Sequence, residues 1–137
     1  MIELPHYNAI HELSIDLIDA SESCDARREW AIYSQLEKLC SGETHPFPWE
    51  TLADFTHDDQ AALALYETAL GHAANLGLDG FTASIELAIA ERHRSLGQSV
   101  LAVEHARLAD NAARGTDDLE LRRAISEFLL ECTSNDS

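Results

Sequence analysis

From Asp58 to Thr116 the apolar residues fall into three consecutive runs with helical spacing, each closed by a glycine. In the first run Ala62, Leu65, Tyr66, Ala69, Leu70, Ala73 and Leu76 recur at intervals of three and four, which puts them on one side of a helix. Asp58 and Asp59 suit its start, because their oxygens can accept from unpaired first-turn amides and their charge complements the positive end of the helix dipole. Gly77 suits its end, since glycine takes the left-handed conformation without a Cβ penalty. The second run uses Ala83, Leu87, Ala90 and Leu96 and ends at Gly97; the third uses Val100, Val103, Ala106, Ala109 and Ala113 and ends at Gly115. Small alanines on facing sides let neighbouring helices approach closely.

The flanks extend the pattern. Residues 7 to 20 read as a helix with Ile10, Leu13, Leu17 and Ile18 as its stripe, SESCD reads as a turn, and a second helix over residues 26 to 40 offers Trp30, Tyr33, Leu36, Leu39 and Cys40. Ser41-Gly42 ends it. The two prolines of THPFP predict a stiff extended linker that bends the chain within one domain. A shortened helix, PWETLADF, follows, with Trp49, Leu52 and Phe55 as its apolar side. Downstream, Asp117 and Glu120 have the spacing of a capping box and open a last helix with Leu121, Ile125, Phe128 and Leu129 turned inward. The tail CTSNDS is expected to fray.

A repeat lies within this series. Ala62, Tyr66 and Ala69 align with Ala102, Ala106 and Ala109 at a constant offset of 40 residues, and the segments after them, HAANLG and NAARGT, correspond at an offset of 39. SLGQSVLAVEHARLADNA resembles the turn and second helix of a tetratricopeptide repeat: Leu96 and Gly97 match its Leu-Gly turn, Ala102, Ala106 and Ala109 its packing positions, and Ala90 the small position of its first helix. The match covers residues 83 to 115 well and 48 to 77 in part, where the prolines interrupt the first helix; the spacing is that of the extended variant of these repeats. The resemblance implies an all-α fold of antiparallel helical hairpins stacked as a short tetratricopeptide-like array. On this reading residues 1–43 form an N-terminal hairpin, 44–116 two repeat-like hairpins and 117–132 a capping helix, all in one domain. A generic antiparallel helix bundle has the same periodicity and is the alternative.

Charge changes the picture more than composition does. With 137 residues and 45% hydrophobic content the chain can bury a core, and it holds no apolar run of the length a membrane helix needs. Its formal net charge is −16, and no Lys or Arg occurs from Met1 to Ala26 or from Leu39 to Glu91. Such a field repels phosphate backbones and anionic membranes, so no nucleic-acid or membrane partner is expected; a basic protein would be steered in, at a rate that falls as salt rises. The start of the chain lacks the basic, then uninterrupted apolar pattern of a signal peptide, and Cys24, Cys40 and Cys132 are odd in number and form no paired motif. Both point to a cytoplasmic protein.

Candidate chemistry is sparse. The seven histidines form no HExxH pair and no zinc spacing, so no metal and no cofactor are expected, although His93 and His105 flank the Leu96-Gly97 turn and could approach each other. There is no nucleophile elbow, phosphate-cradling loop or dinucleotide fingerprint, since Gly77 and Gly80 stand in a short helix-to-helix turn. The sequence therefore predicts a non-enzyme whose candidate partner-binding residues are charged or aromatic. Glu12, Asp16 and Asp19 lie one above another on the first helix. In the family the first helix of each repeat lines the groove, and the resemblance carries Ser84, Leu87, Glu91 and Arg94 there, with Thr51 and Asp54 of the shortened helix extending that surface; Asp58 beside them adds to the acidic face. Lys and Asn positions that grip a peptide carboxylate in some members are not matched. Trp49, Phe47 or Tyr66 would serve as an apolar anchor if exposed.

Three functions fit. The first is an immunity protein that neutralises a bacterial toxin or effector by occluding its basic active-site cleft with an acidic surface. The second is an acidic chaperone of the type III secretion kind, and the third a tetratricopeptide-like scaffold or regulatory subunit. An incompletely capped stack can also pair with its twin, which keeps a homodimer among the expectations.

Overall fold

The computed structural model describes residues 4–134. Among the described residues there are seven helices: α1 (Tyr7–Glu22), α2 (Ala26–Cys40), α3 (Pro46–Asp54), α4 (Asp59–Leu76), α5 (Asp79–Ser95), α6 (Ser99–Ala113) and α7 (Leu119–Ser134). The short connections turn each helix back along its predecessor, and each packs against the next. Backbone approaches also join α1 to α3, α3 to α5 and α5 to α7, whereas among the described residues the backbones of the even-numbered helices stay farther apart. The odd helices thus form the tighter layer of an all-α array of helical hairpins, and the even ones the splayed layer.

Three apolar clusters follow one another through the stack. Ile10, Leu17, Ile32, Leu36 and Leu52 join α1, α2 and α3; Ala62, Tyr66, Ala69, Ala73, Ile85 and Ile89 centre the second; Ala83, Ala90, Ala102, Ala106, Ile125 and Phe128 close the third under α7. Trp49 and Leu65 pack against both the first and second clusters, so the N-terminal hairpin is continuous with the following core. The 40-residue correspondence is realised in packing: Ala62, Tyr66, Ala69 and Ala73 on α4 are buried, as are Ala102, Ala106, Ala109 and Ala113 on α6.

Helix ends show why the boundaries fall where they do. Asp58 accepts from the Ala61 amide at 2.8 Å, as its position predicts. Gly77 and Gly97 are left-handed, with φ of 65° and 73°. At both turns the residue beyond the glycine reaches back five positions, Leu78 N to Ala73 O and Gln98 N to His93 O, closing the last turn of α4 and of α5.

Several expectations are corrected. THPFP is not an extended linker: α3 begins at Pro46, and His45 Nδ1 accepts from the Phe47 amide at 3.0 Å. Prolines fit the first turn of a helix because amides there have no helical acceptor to lose. Burial pushes the His45 pKa down, which keeps Nδ1 free to accept. Asp118, not Asp117, caps α7, accepting from Leu121 N at 3.0 Å. Gly115 does not take a positive φ, and Gly80 lies inside the first turn of α5. The helix of the tail continues to Ser134, so Cys132 and Thr133 belong to it, while Asn135 to Ser137 lie outside the described residues.

The stripe assigned to α2 also shifts. Ile32, Leu36 and Cys40, four apart, are the buried residues, whereas Trp30 is 69% exposed. Residues two apart point to nearly opposite sides of a helix, so burying Ile32 turns Trp30 out. On α6 the buried line starts at Ala102 and leaves Val100 outside.

Candidate partner-binding surface

Two acidic regions emerge, and each holds part of the expected set. On α1, Glu12, Asp16 and Asp19 are exposed on one side. Arg28 reaches across from α2, 2.7 Å from Asp19 Oδ2 and 3.9 Å from Asp16 Oδ1. Its guanidinium pKa is raised, chiefly by the Asp19 hydrogen bond. The repulsion expected along this stripe is therefore offset from the neighbouring helix. Glu12 and Asp16 border a shallow hollow floored by Leu13 and Leu39.

The second region runs between α3 and α5, in the tight layer. Ser84 donates to Glu50 Oε2 at 2.7 Å, and the Tyr66 hydroxyl donates to Asp54. Burial drives the Glu50 carboxyl up to about 7, against the Ser84 hydrogen bond and with the help of the Asp54 charge. Asp54 is raised as well: the residue is open to solvent, but its carboxyl is drawn in beside Tyr66, whose hydrogen bond opposes the rise, as does the Arg92 charge. Glu91 is raised by burial, with Arg94 opposing and Asp54 adding to the rise. Three carboxyls that influence one another thus line this face, suited to accepting cationic or hydrogen-bond donor groups.

Other expected residues have structural partners. Arg94 lies 2.9 Å from Glu131 and 4.6 Å over the Phe128 ring, so it ties α5 to α7. Asp58 is spent as the α4 cap. Trp49 is half-buried at the joint between hairpins, and its Nε1 donates to the Glu43 carbonyl at 2.9 Å. Tyr66 is 2% exposed and Leu87 is buried, so neither is offered as a contact, and Phe47 is half-buried against the first cluster. Glu12, Asp16, Asp19, Asp54 and Glu91 keep exposed surface.

Three features escaped the sequence reading. Arg92, with a side chain only 18% exposed, donates to Thr56 O at 2.8 Å and Ala53 O at 3.3 Å and pairs with Asp59 at 3.2 Å. It caps the C-terminal end of α3 from α5. Glu86 is 3% exposed and lies 3.2 Å from His105 Nδ1. His105 in turn stacks on His93 with ring centroids 5.1 Å apart, the approach expected across the Leu96-Gly97 turn. Among the described residues no group of three or more His, Cys, Asp or Glu is placed to hold a metal ion. The third feature is Trp30, whose ring stacks on Tyr33 at 6.1 Å beside a cavity of about 340 Å³. Only a helical wheel anchored on Ile32 would have turned Trp30 outward.

Cys40 is buried, its thiol pushed up to about 11 by burial and so held protonated, donating to the Pro48 carbonyl at 3.3 Å. Cys24 is exposed and Cys132 half-buried, and all three thiols are free. Among the described residues no helix is long and apolar enough to cross a membrane. Comparison with protein-family models, with curated proteins and with solved structures gave no match.

Proposed function

We propose that the chain is a non-catalytic binding protein for a basic protein partner, and specifically a cytoplasmic immunity protein that silences a bacterial toxin or effector by covering its active site. The observation that carries this reading is how the charge is spent. Of the nine basic residues, Arg28, Arg92, Arg94 and Arg114 are engaged with acids of the same chain, while Glu12, Asp16 and Asp19 of α1 and Glu91 of α5 keep exposed surface on a chain of net charge −16. A surface of that kind attracts a cationic cleft over several ångströms and fixes its orientation once docked. The hairpin array supplies a firm frame, since consecutive cores share Trp49 and Leu65. Resemblance to the tetratricopeptide repeat family supports the same class of work.

The test is functional. The protein is immobilised at low salt in lysate of its own host, and each recovered protein is then expressed alone and together with this chain. Growth arrest by the partner alone, relieved at equal amounts of the two, is the expected result. A partner recovered only in a non-native state would replace this reading with the secretion chaperone, and a partner whose activity is untouched would replace it with the scaffold.

A further inference from the structure

The exposed aromatic of α2 stands at the mouth of a groove that the acidic stripe does not use. Ala26, Glu29, Trp30, Tyr33, Phe55 and His57 line the cavity of about 340 Å³. A second hollow of about 310 Å³ shares Glu29, Phe55 and His57 and continues past Ile18 and Glu22 of α1 to Asp54. Together they make one channel where the end of α1, the start of α2 and the turn after α3 meet.

Its floor is firm. Tyr33 shares a 2.8 Å hydrogen bond with Thr56, whose hydroxyl is also 2.8 Å from Leu52 O, so the ring beneath Trp30 is tied to the end of α3. Its rim is acidic: Glu22, Glu29 and Asp54 border the channel. Glu29 Oε1 pairs with His57 Nε2, which orients the carboxylate and leaves Oε2 to accept from an incoming group.

We propose that this channel docks an arginine-bearing basic segment of a partner protein, with a guanidinium stacked on Trp30 and paired with Glu29 and Glu22. The proposal rests on the protein-binding reading above, but not on the partner being a toxin. Charge complementarity selects a cation, because the channel is bordered by carboxylates and the first 26 residues contain no Lys or Arg. Shape selects arginine over lysine. A guanidinium is flat, so it lies on an indole face and still presents a fork of donors to a carboxylate, whereas an ammonium is a compact, strongly hydrated point charge.

The experiment is calorimetric titration of the full chain with blocked octapeptides alternating Arg-Gly, Lys-Gly or Gln-Gly, with sedimentation of the protein alone. Saturable binding in the order Arg, then Lys, with none for Gln, is expected. Trp30→Ala and, separately, Glu29→Gln should each weaken the Arg peptide about tenfold, while Glu120→Gln with Glu127→Gln on α7, which removes more charge elsewhere, should change it less than twofold. Circular dichroism checks that each variant keeps its helices; Trp30 is exposed, so the fold should hold. Equal affinity for Arg and Lys with no effect of Trp30→Ala would reduce the binding to bulk charge and overturn the proposal. Self-association abolished by Trp30→Ala would overturn it too, by making a second copy the occupant. A partner silenced by a chain that ignores the Arg peptide would sink this inference alone, and an Arg peptide bound through Trp30 by a chain that silences nothing would sink only the immunity reading.

Discussion

Removing Arg92 should loosen the array at its middle. The guanidinium holds the carbonyls of Ala53 and Thr56 and the carboxylate of Asp59, and so fastens the end of α3 and the start of α4 to α5. Hydrogen bonds from a charged donor contribute about 1.5–3 kcal/mol each when little exposed, but three made by one side chain do not add fully. The side chain is 18% exposed, so water can replace part of what is lost. Arg92→Ala should therefore cost about 2–4 kcal/mol. At roughly 3–4 °C per kcal/mol for a domain of this size, the melting temperature should fall by about 6–16 °C. Arg92→Lys keeps an attraction to Asp59 but cannot span two carbonyls, and should lose about half as much. Urea unfolding followed by circular dichroism measures both. Because each hairpin of a stacked array is held by its neighbours, the alanine variant should also show a smaller m-value as α3 and α5 begin to separate before global unfolding. A loss below about 0.5 kcal/mol for Arg92→Ala, the range of ordinary surface substitutions, would refute the clamp.

The same packing sets other outcomes. The folded-state pKa of Glu50, about 7, lies above its ordinary 4.5, so the folded chain holds more protons than the unfolded one between those values. Stability from this group is full below about pH 4.5 and falls as pH rises through 7, by at most about 3 kcal/mol. Glu50→Gln should flatten that slope and be the more stable protein at pH 8, and identical pH profiles for the two would contradict it. His105→Ala strips the 3%-exposed Glu86 of its hydrogen-bond partner and should cost about 2–4 kcal/mol in the same urea assay, whereas a neutral effect would mean that Glu86 finds another donor. Gly97→Ala should destabilise by about 1–2 kcal/mol although the added Cβ meets no atom within 4 Å, because the φ of 73° is unfavourable to any side chain. Gly115→Ala, with no positive φ and only Asp79 Oδ2 at 3.7 Å, should be neutral or mildly stabilising by thermal melt. Reversing Asp16 and Asp19 to Lys should slow association with a basic partner and reduce its salt dependence, and an unchanged rate constant would exclude that stripe from the docking face.

The helices were legible because each carries its own instructions. Spacing of three and four marked α1, α2 and α4 to α7, Asp58 marked a start, and Gly77 and Gly97 marked stops, since a cap depends only on residues a few positions away. The 40-residue offset was legible for a related reason: alanine in a crowded interface leaves the same trace wherever two helices must come close. Local rules also misled where two of them competed. Pro46 and Pro48 read as extended chain, yet prolines are equally at home in a first helical turn, and only the His45 cap and the burial of both prolines decide between these outcomes.

The surface was less legible because it is made by pairs of distant residues. Nothing near Arg28 in sequence says that it quiets Asp19, nor does anything near Arg92 say that it completes the end of α3. The sequence by itself determined an acidic, all-helical chain of packed hairpins, since periodicity, end signals and net charge are properties of the residues alone. The tertiary structure decided which carboxylates stay available, which aromatic turns outward and where a channel opens, because each depends on the rotation of one helix against another, and a shift of two positions around a helix exchanges inside for outside.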